Sequence, residues 1–169
     1  MLIVPAIMMK QDGTTLLSIG FARDHIGRQI LIGVAITLAM SLALTLLPIL
    51  FGLKSMVGST QYTHAWQFAY DFAYQILGVA LVEEVLFRGY VFKLLKEIRN
   101  TMAFPVALSS VLFGLIHIVN GSVVQVLMTA LIGALLCVCR MKIKSCTLLS
   151  LIIAHGVYDA LITLWVGVL

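Results

Sequence analysis

The sequence predicts an all-α fold, a polytopic bundle of about five transmembrane helices with its N-terminus on the cytoplasmic side. Three observations predict it. The first is composition: 62% of the 169 residues are hydrophobic and 11% are charged, a balance far more apolar than that of a soluble domain. The second is the length of the uncharged runs. Ile30–Leu53 holds 24 residues without a charge, and a helix needs about 20 to cross a bilayer. The third is the placement of Lys and Arg along the chain. Backbone groups in hydrocarbon must be satisfied within the protein, and helices do this segment by segment. A soluble all-helical core is the alternative, and the long uncharged runs argue against it.

The elements follow in order. Residues 1–29 form a cytoplasmic or interfacial N-terminal segment, polar and basic from Lys10 to Arg28. Its apolar start, Met1 to Met9, has no basic region before it and no small-residue cleavage site after it, so no cleavable signal peptide is expected. Residues 30–169 form the transmembrane domain. The expected spans are Ile30–Leu53, Ala65–Leu95, Ala103–Val119, Val123–Cys139 and Thr147–Val168. The second is longer than a bilayer requires and should kink, tilt or project beyond it. Asn120-Gly-Ser is formally a glycosylation sequon, but it reads more simply as the tight turn between the third and fourth spans.

With five spans and the N-terminus inside, nine of the eleven Lys and Arg residues fall on the cytoplasmic side. They are Lys10, Arg23, Arg28, Lys93, Lys96, Arg99, Arg140, Lys142 and Lys144. Only Lys54 falls outside, and Arg88 lies within a span. This asymmetry is the positive-inside pattern, and losing one span would scramble it. Tyr62, Trp66, Tyr70 and Trp165 fall near the outer interface, where an aromatic belt belongs. The net charge of +4 therefore reads as membrane orientation, and no nucleic-acid partner is expected. The three cysteines, Cys137, Cys139 and Cys146, sit at or beside one helix end. Their odd number gives no disulfide framework, and they read as small core residues.

Few ionisable residues remain inside the spans: Asp71, Glu83, Glu84, Arg88, His117, His155 and Asp159. Asp71 lies near the outer end of its span, within reach of the headgroups. The other six are costly at bilayer depth, so they should face a protein interior or a water-filled cavity. At 1.5 Å per residue, Glu83 lies about 15 Å from Lys93, His117 about 18 Å from Pro105, and His155 about 15 Å from Ser145. Three spans thus place their polar groups at one depth, near the middle of a core about 30 Å thick, as a shared site would. Glu84 and Arg88 are i,i+4 and can pair, with Glu83 turned about 100° away. His155 and Asp159 share the same i,i+4 spacing, and Phe113 lies one turn before His117.

This set suits hydrolysis of an amide by water. A carboxylate outside the Arg88 pair can act as a general base, one histidine can hold the water, and the other can stabilise an oxyanion. There is no GxSxG nucleophile motif, and Ser109 and Ser110 read as helix-packing serines. A structural polar network, a proton relay and a pair of satisfied core histidines are the competing readings. His25 and His64 read as solvated loop residues.

The residues resemble a known family. Glu83-Glu84-Val-Leu-Phe-Arg88 matches an EExxxR motif, Phe113-Gly-Leu-Ile-His117 matches FxxxH, and His155-Gly-Val-Tyr-Asp159 resembles HxxxN. Their order and separation are similar to those of the CPBP family of CAAX proteases and bacteriocin-processing enzymes, also called Abi, which includes the Ras-converting CAAX endopeptidase. The resemblance covers about residues 74–164, and the lead-in SIGFARDHIGRQILIG is similar to the segment before the family's core. It implies an intramembrane endopeptidase of the glutamate type, or a metal-dependent one; the compact five-span chain reads as a protein of a bacterial cytoplasmic membrane, with a leader, signal or membrane-associated peptide as substrate. The resemblance implies that Glu83 activates water, His117 helps to hold it, His155 and the residue at Asp159 form the oxyanion site, and Glu84 and Arg88 support the motif helix. Asp159 departs from the family's asparagine. An aspartate donates a hydrogen bond only when protonated, so it serves the oxyanion in that form, orients His155, or marks weakened catalysis. No cofactor is expected, with one exception: Glu83, His117 and His155 could hold Zn²⁺ of the His/carboxylate type, although no HExxH is present. The alternative to an enzyme is an immunity or scaffold membrane protein of the same fold. The oligomeric state is left open.

Overall fold

The computed structural model describes residues 3–58, 62–119 and 121–169, and these contain helices and no strand. They divide into two compact units. The first comprises the described residues up to Asp24 together with Val82–Leu148, and the second those of His25–Leu81 with Leu149–Leu169.

In the first unit the helix Ile3–Gln11 is followed by the single turn Leu16–Ile19. Thr15 caps that turn, its hydroxyl accepting from the Ser18 amide at 3.2 Å while the Ser18 hydroxyl accepts from the Thr15 amide at 3.1 Å. Such reciprocal bonds satisfy two of the donors a helix start leaves open. The turn stops at Gly20, whose φ of +111° lies in the region that glycine tolerates without a Cβ penalty. Gly20 then accepts a 3.0 Å bond from the Leu148 amide. Tyr90 donates to Asp12 at 2.8 Å, and Lys93 donates to Thr14 at 2.9 Å. The N-terminal segment is thereby tied to the 82–98 helix.

Ala103–Leu115 ends in a 3₁₀ turn, Ile116–Val119. Val123–Lys142 starts at Ser122, whose hydroxyl accepts from the Gln125 amide at 3.3 Å. Asn120, the expected turn residue, lies outside the described residues. These two helices approach through small residues. A Cβ on Gly114 would lie 2.6 Å from the Val126 carbonyl oxygen and 2.8 Å from Ala130 Cβ. Buried Ser109 and Ser110 belong to the same helix as Gly114. In hydrocarbon, where lipid tails compete equally for apolar contact, such close approach is what holds helices together.

In the second unit Ile26–Leu50 is helical throughout, with a π-helical turn at Ser41–Leu46. It packs along Leu148–Val168. Thr37 donates to the Ala154 carbonyl at 3.1 Å, Ser150 to the Gln29 carbonyl at 2.8 Å, and Thr45 to the Tyr158 hydroxyl at 3.3 Å. Ala65–Tyr74 continues into a second π turn, Gln75–Ala80. Gly156 rests on that turn: a Cβ there would lie 2.6 Å from Ile76 Cα.

Burial runs opposite to that of a soluble bundle. Gln29, Thr37, Ser41, Thr45, Ser109 and Ser150 are inside, while Leu31, Leu127 and Val123 are each more than 60% exposed. Polar groups turned inward and leucines turned outward fit a lipid solvent. Among the described residues three helices are long and apolar enough to cross a membrane: Ile26–Leu50, Val123–Lys142 and Leu148–Val168. Ala103–Val119 is apolar but shorter. The 65–98 stretch is helical along its whole length, and its Asp71, Glu83, Glu84 and Arg88 are what set it apart from the uncharged spans.

Candidate active site

The motif stretch is not an ordinary α-helix. Leu81–Glu83 is α-helical, but Glu84–Val91 is π-helical, with the backbone bonding i→i+5. Such segments are rare and recur at functional sites. Within this one, Glu84 and Arg88 are 0% and 1% exposed and lie 3.1 Å apart, Oε1 to Nη1. The contact is an ion pair by distance, and the guanidinium nitrogens make no aligned hydrogen bond among the described residues. Arg88 instead lies over the Phe113 ring, 3.9 Å from its centroid. Gly133 makes room for it, since a Cβ at that position would fall 2.7 Å from Arg88 Nη2. The Arg88 carbonyl accepts from Arg140 Nη1, and Arg140 Nη2 donates to the Ile19 carbonyl at 2.9 Å. Arg140 therefore stitches the motif turn to the N-terminal segment.

Phe113 is the hub of these contacts. It meets Phe87 edge-on at 5.4 Å and His117 edge-on at 5.1 Å. His117 sits in the 3₁₀ turn, half-buried, with Nδ1 2.9 Å from the Phe113 carbonyl. A carbonyl can only accept, so Nδ1 carries the proton and a neutral His117 presents Nε2 as an acceptor. Glu83 is half-buried, with its Oε2 inside the protein. The first unit thus brings Glu84, Arg88, Phe113 and His117 into one chain of contacts, and Glu83 immediately precedes its first member.

The second unit holds the third motif. His155 is 5% exposed. Its Nε2 lies 3.2 Å from Asp159 Oδ2, one turn on. Of the remaining polar residues, Asp71 accepts from the Tyr62 hydroxyl and from Gln75 Nε2 at 3.1 Å. His25 is exposed at the start of its helix with φ +50°, and the exposed His64 contacts Thr63 at 2.9 Å. Cys137, Cys139 and Cys146 are free thiols.

The donor types suit zinc. Among the described residues no group of three His, Cys, Asp or Glu side chains is gathered as a metal site requires. Phe87, Gly133 and Arg140 were not legible as site residues. Arg140 lies in a basic run that reads as a topology signal, and no pattern links it to carbonyls 52 and 121 positions away.

The fold and these residues define an all-α integral membrane protein with ionisable side chains held among its helices. A family model described as Rce1-like, type II CAAX prenyl endopeptidase, matches residues 65–161, more than half of the chain and all three motifs. The chain belongs to that family and is accordingly a protease of the CAAX type, set in a membrane and acting on peptide or protein substrates. Comparison with curated proteins and with solved structures gives no match.

Proposed function

We propose that the chain is an intramembrane endopeptidase that hydrolyses a peptide bond with Glu83 as general base. The observation that supports this most directly is the division of labour between adjacent glutamates. Glu84 is committed to a buried ion pair with Arg88, while Glu83 stands one residue before it and is half-buried. A half-buried carboxylate next to a rigid, paired neighbour is held in place, which suits a base. Glu83 takes a proton from water as the oxygen attacks the carbonyl carbon, giving a tetrahedral oxyanion. The same proton passes to the amide nitrogen, the C–N bond breaks, and a carboxylic acid and an amine form, the acid's proton then passing to the amine. His117 Nε2 accepts from the water, its other nitrogen being fixed on the Phe113 carbonyl.

His155 takes the oxyanion-stabilising role. Asp159 acts as its positioning residue: the 3.2 Å contact to Nε2 supports orientation of the imidazole over direct donation by the aspartate. Glu84 and Arg88 support the motif turn. Zinc bound by Glu83, His117 and His155 would supply Lewis-acid chemistry, and no step of this mechanism depends on it. The substrate class we favour is a bacterial leader, signal or membrane-associated peptide, in a bacterial cytoplasmic membrane.

The test is cleavage by the purified full chain of two peptide sets, bacterial leader peptides and prenylated C-terminal peptides, with Glu83→Gln as the blank and metal content measured on the same samples. Cleavage of leader peptides by the wild type alone supports the proposal. Cleavage confined to prenylated peptides would change the substrate class, and activity that tracks bound zinc would turn the same residues into ligands. Two folded proteins that cut neither set would favour an immunity or scaffold role, with Asp159 as the position to restore to Asn first.

A further inference from the structure

We infer that a cavity in the second unit, at the start of the 65–98 helical stretch, binds an alkylammonium group of the kind carried by ethanolamine phospholipid headgroups. The cavity measures about 600 Å³ and is lined by Tyr62, Trp66, Tyr70, Asp71, Gln75 and Thr163, among others. Its volume falls within the usual range of small-ligand sites. Its one carboxylate is Asp71. Both oxygens of that group are used by neutral donors, Oδ2 by the Tyr62 hydroxyl and Oδ1 by Gln75 Nε2 at 3.1 Å. A carboxylate has about four lone-pair positions, so two remain for a ligand.

Among the described residues no Lys, Arg or His lines the cavity. The sequence offers little to neutralise it, since Lys54 is the single Lys or Arg between Arg28 and Arg88. Near the outer end of its span, Asp71 lies within reach of the lipid headgroups, where a headgroup cation can compensate its charge. The walls fit a cation as well as the charge does. Trp66 is 65% exposed, so its ring remains available, while Tyr70 stacks on Tyr74 at 6.1 Å and offers its other face; aromatic faces attract ammonium groups. An aromatic belt alone would account for Trp66 and Tyr70, but not for a carboxylate tethered among them by Tyr62 and Gln75.

The test uses the full chain, purified and offered phosphatidylethanolamine or phosphatidylglycerol with the same acyl chains. Retained lipid is counted by native mass spectrometry, and soluble ethanolamine is titrated against tryptophan fluorescence. Retention of phosphatidylethanolamine over phosphatidylglycerol is expected. Asp71→Asn should weaken it about tenfold, the scale of one hydrogen bond to a charged group. Trp66→Ala, at a site exposed enough to leave the fold intact, should weaken it about threefold. A fluorescence response to soluble ethanolamine that Asp71→Asn abolishes would assign the site to small amines as well, while a response to the lipid alone would make the headgroup its ligand. Equal retention of both lipids with no response to ethanolamine, or an Asp71→Asn protein that binds as the wild type does, would overturn the inference.

Discussion

Arg88 shows how much of this site depends on one side chain. It is 1% exposed, paired with Glu84, laid on Phe113 and backed by Gly133. Removing one member of a buried pair leaves the other charge uncompensated, at a cost of about 3–5 kcal/mol. Arg88→Ala should therefore lower stability by that order, measured by unfolding of the purified chain, whereas Glu83→Gln should leave stability nearly unchanged. Tyr62 gives a prediction in pH. Burial first, then its hydrogen bond to Asp71, push its phenol from 10 up to about 12. Because the folded pKa is the higher one, this contribution to stability is complete below pH 10 and is lost as pH rises towards 12. Spectrophotometric titration should find Tyr62 ionising late, and Asp71→Asn should remove part of that delay. The Glu84–Arg88 and His155–Asp159 pairs were legible from i,i+4 spacing. The stacking of Arg88 on Phe113 was not, because the two residues lie on different helices and nothing in either motif encodes the approach.

At the scale of elements, glycine and the π turns work together. Gly156, inside the third motif, lies against the Gln75–Ala80 turn with no room for a Cβ. Backbone cannot move aside as a flexible side chain can, so Gly156→Ala should destabilise by about 1–3 kcal/mol, the usual cost of overpacking. The same substitution at Gly27, where a Cβ would meet nothing within 4 Å, should be tolerated. Parallel unfolding curves of the two variants check this. The helices themselves were readable because uncharged runs and basic loops mark where a span begins and ends. Their internal irregularity was not. Ser41–Leu46, Gln75–Ala80 and Glu84–Val91 carry no Pro, and Gly78 and Gly89, though inside the last two, do not by themselves announce a π turn. The 3₁₀ turn that carries His117 was read as part of a regular span, because Ile116–Val119 continues the apolar run without interruption.

At the scale of the whole molecule, the chain folds as two units, each built from segments distant in sequence. The N-terminal segment joins Val82–Leu148, and the last helix joins His25–Leu81. Apolar periodicity says where helices run but not which ones associate, so this grouping lay beyond the sequence. The proposed catalysis is built on the two adjacent glutamates of the first unit. Its centre is the assignment of chemistry to Glu83 and of structure to Glu84. The most direct measurement compares peptide cleavage and unfolding for the wild type, Glu83→Gln and Glu84→Gln in one preparation. Glu83→Gln should lose at least about 100-fold in rate, the scale of a lost general base, with unfolding unchanged, and Glu84→Gln should lose stability first. A Glu83→Gln protein that cleaves at the wild-type rate would contradict that assignment.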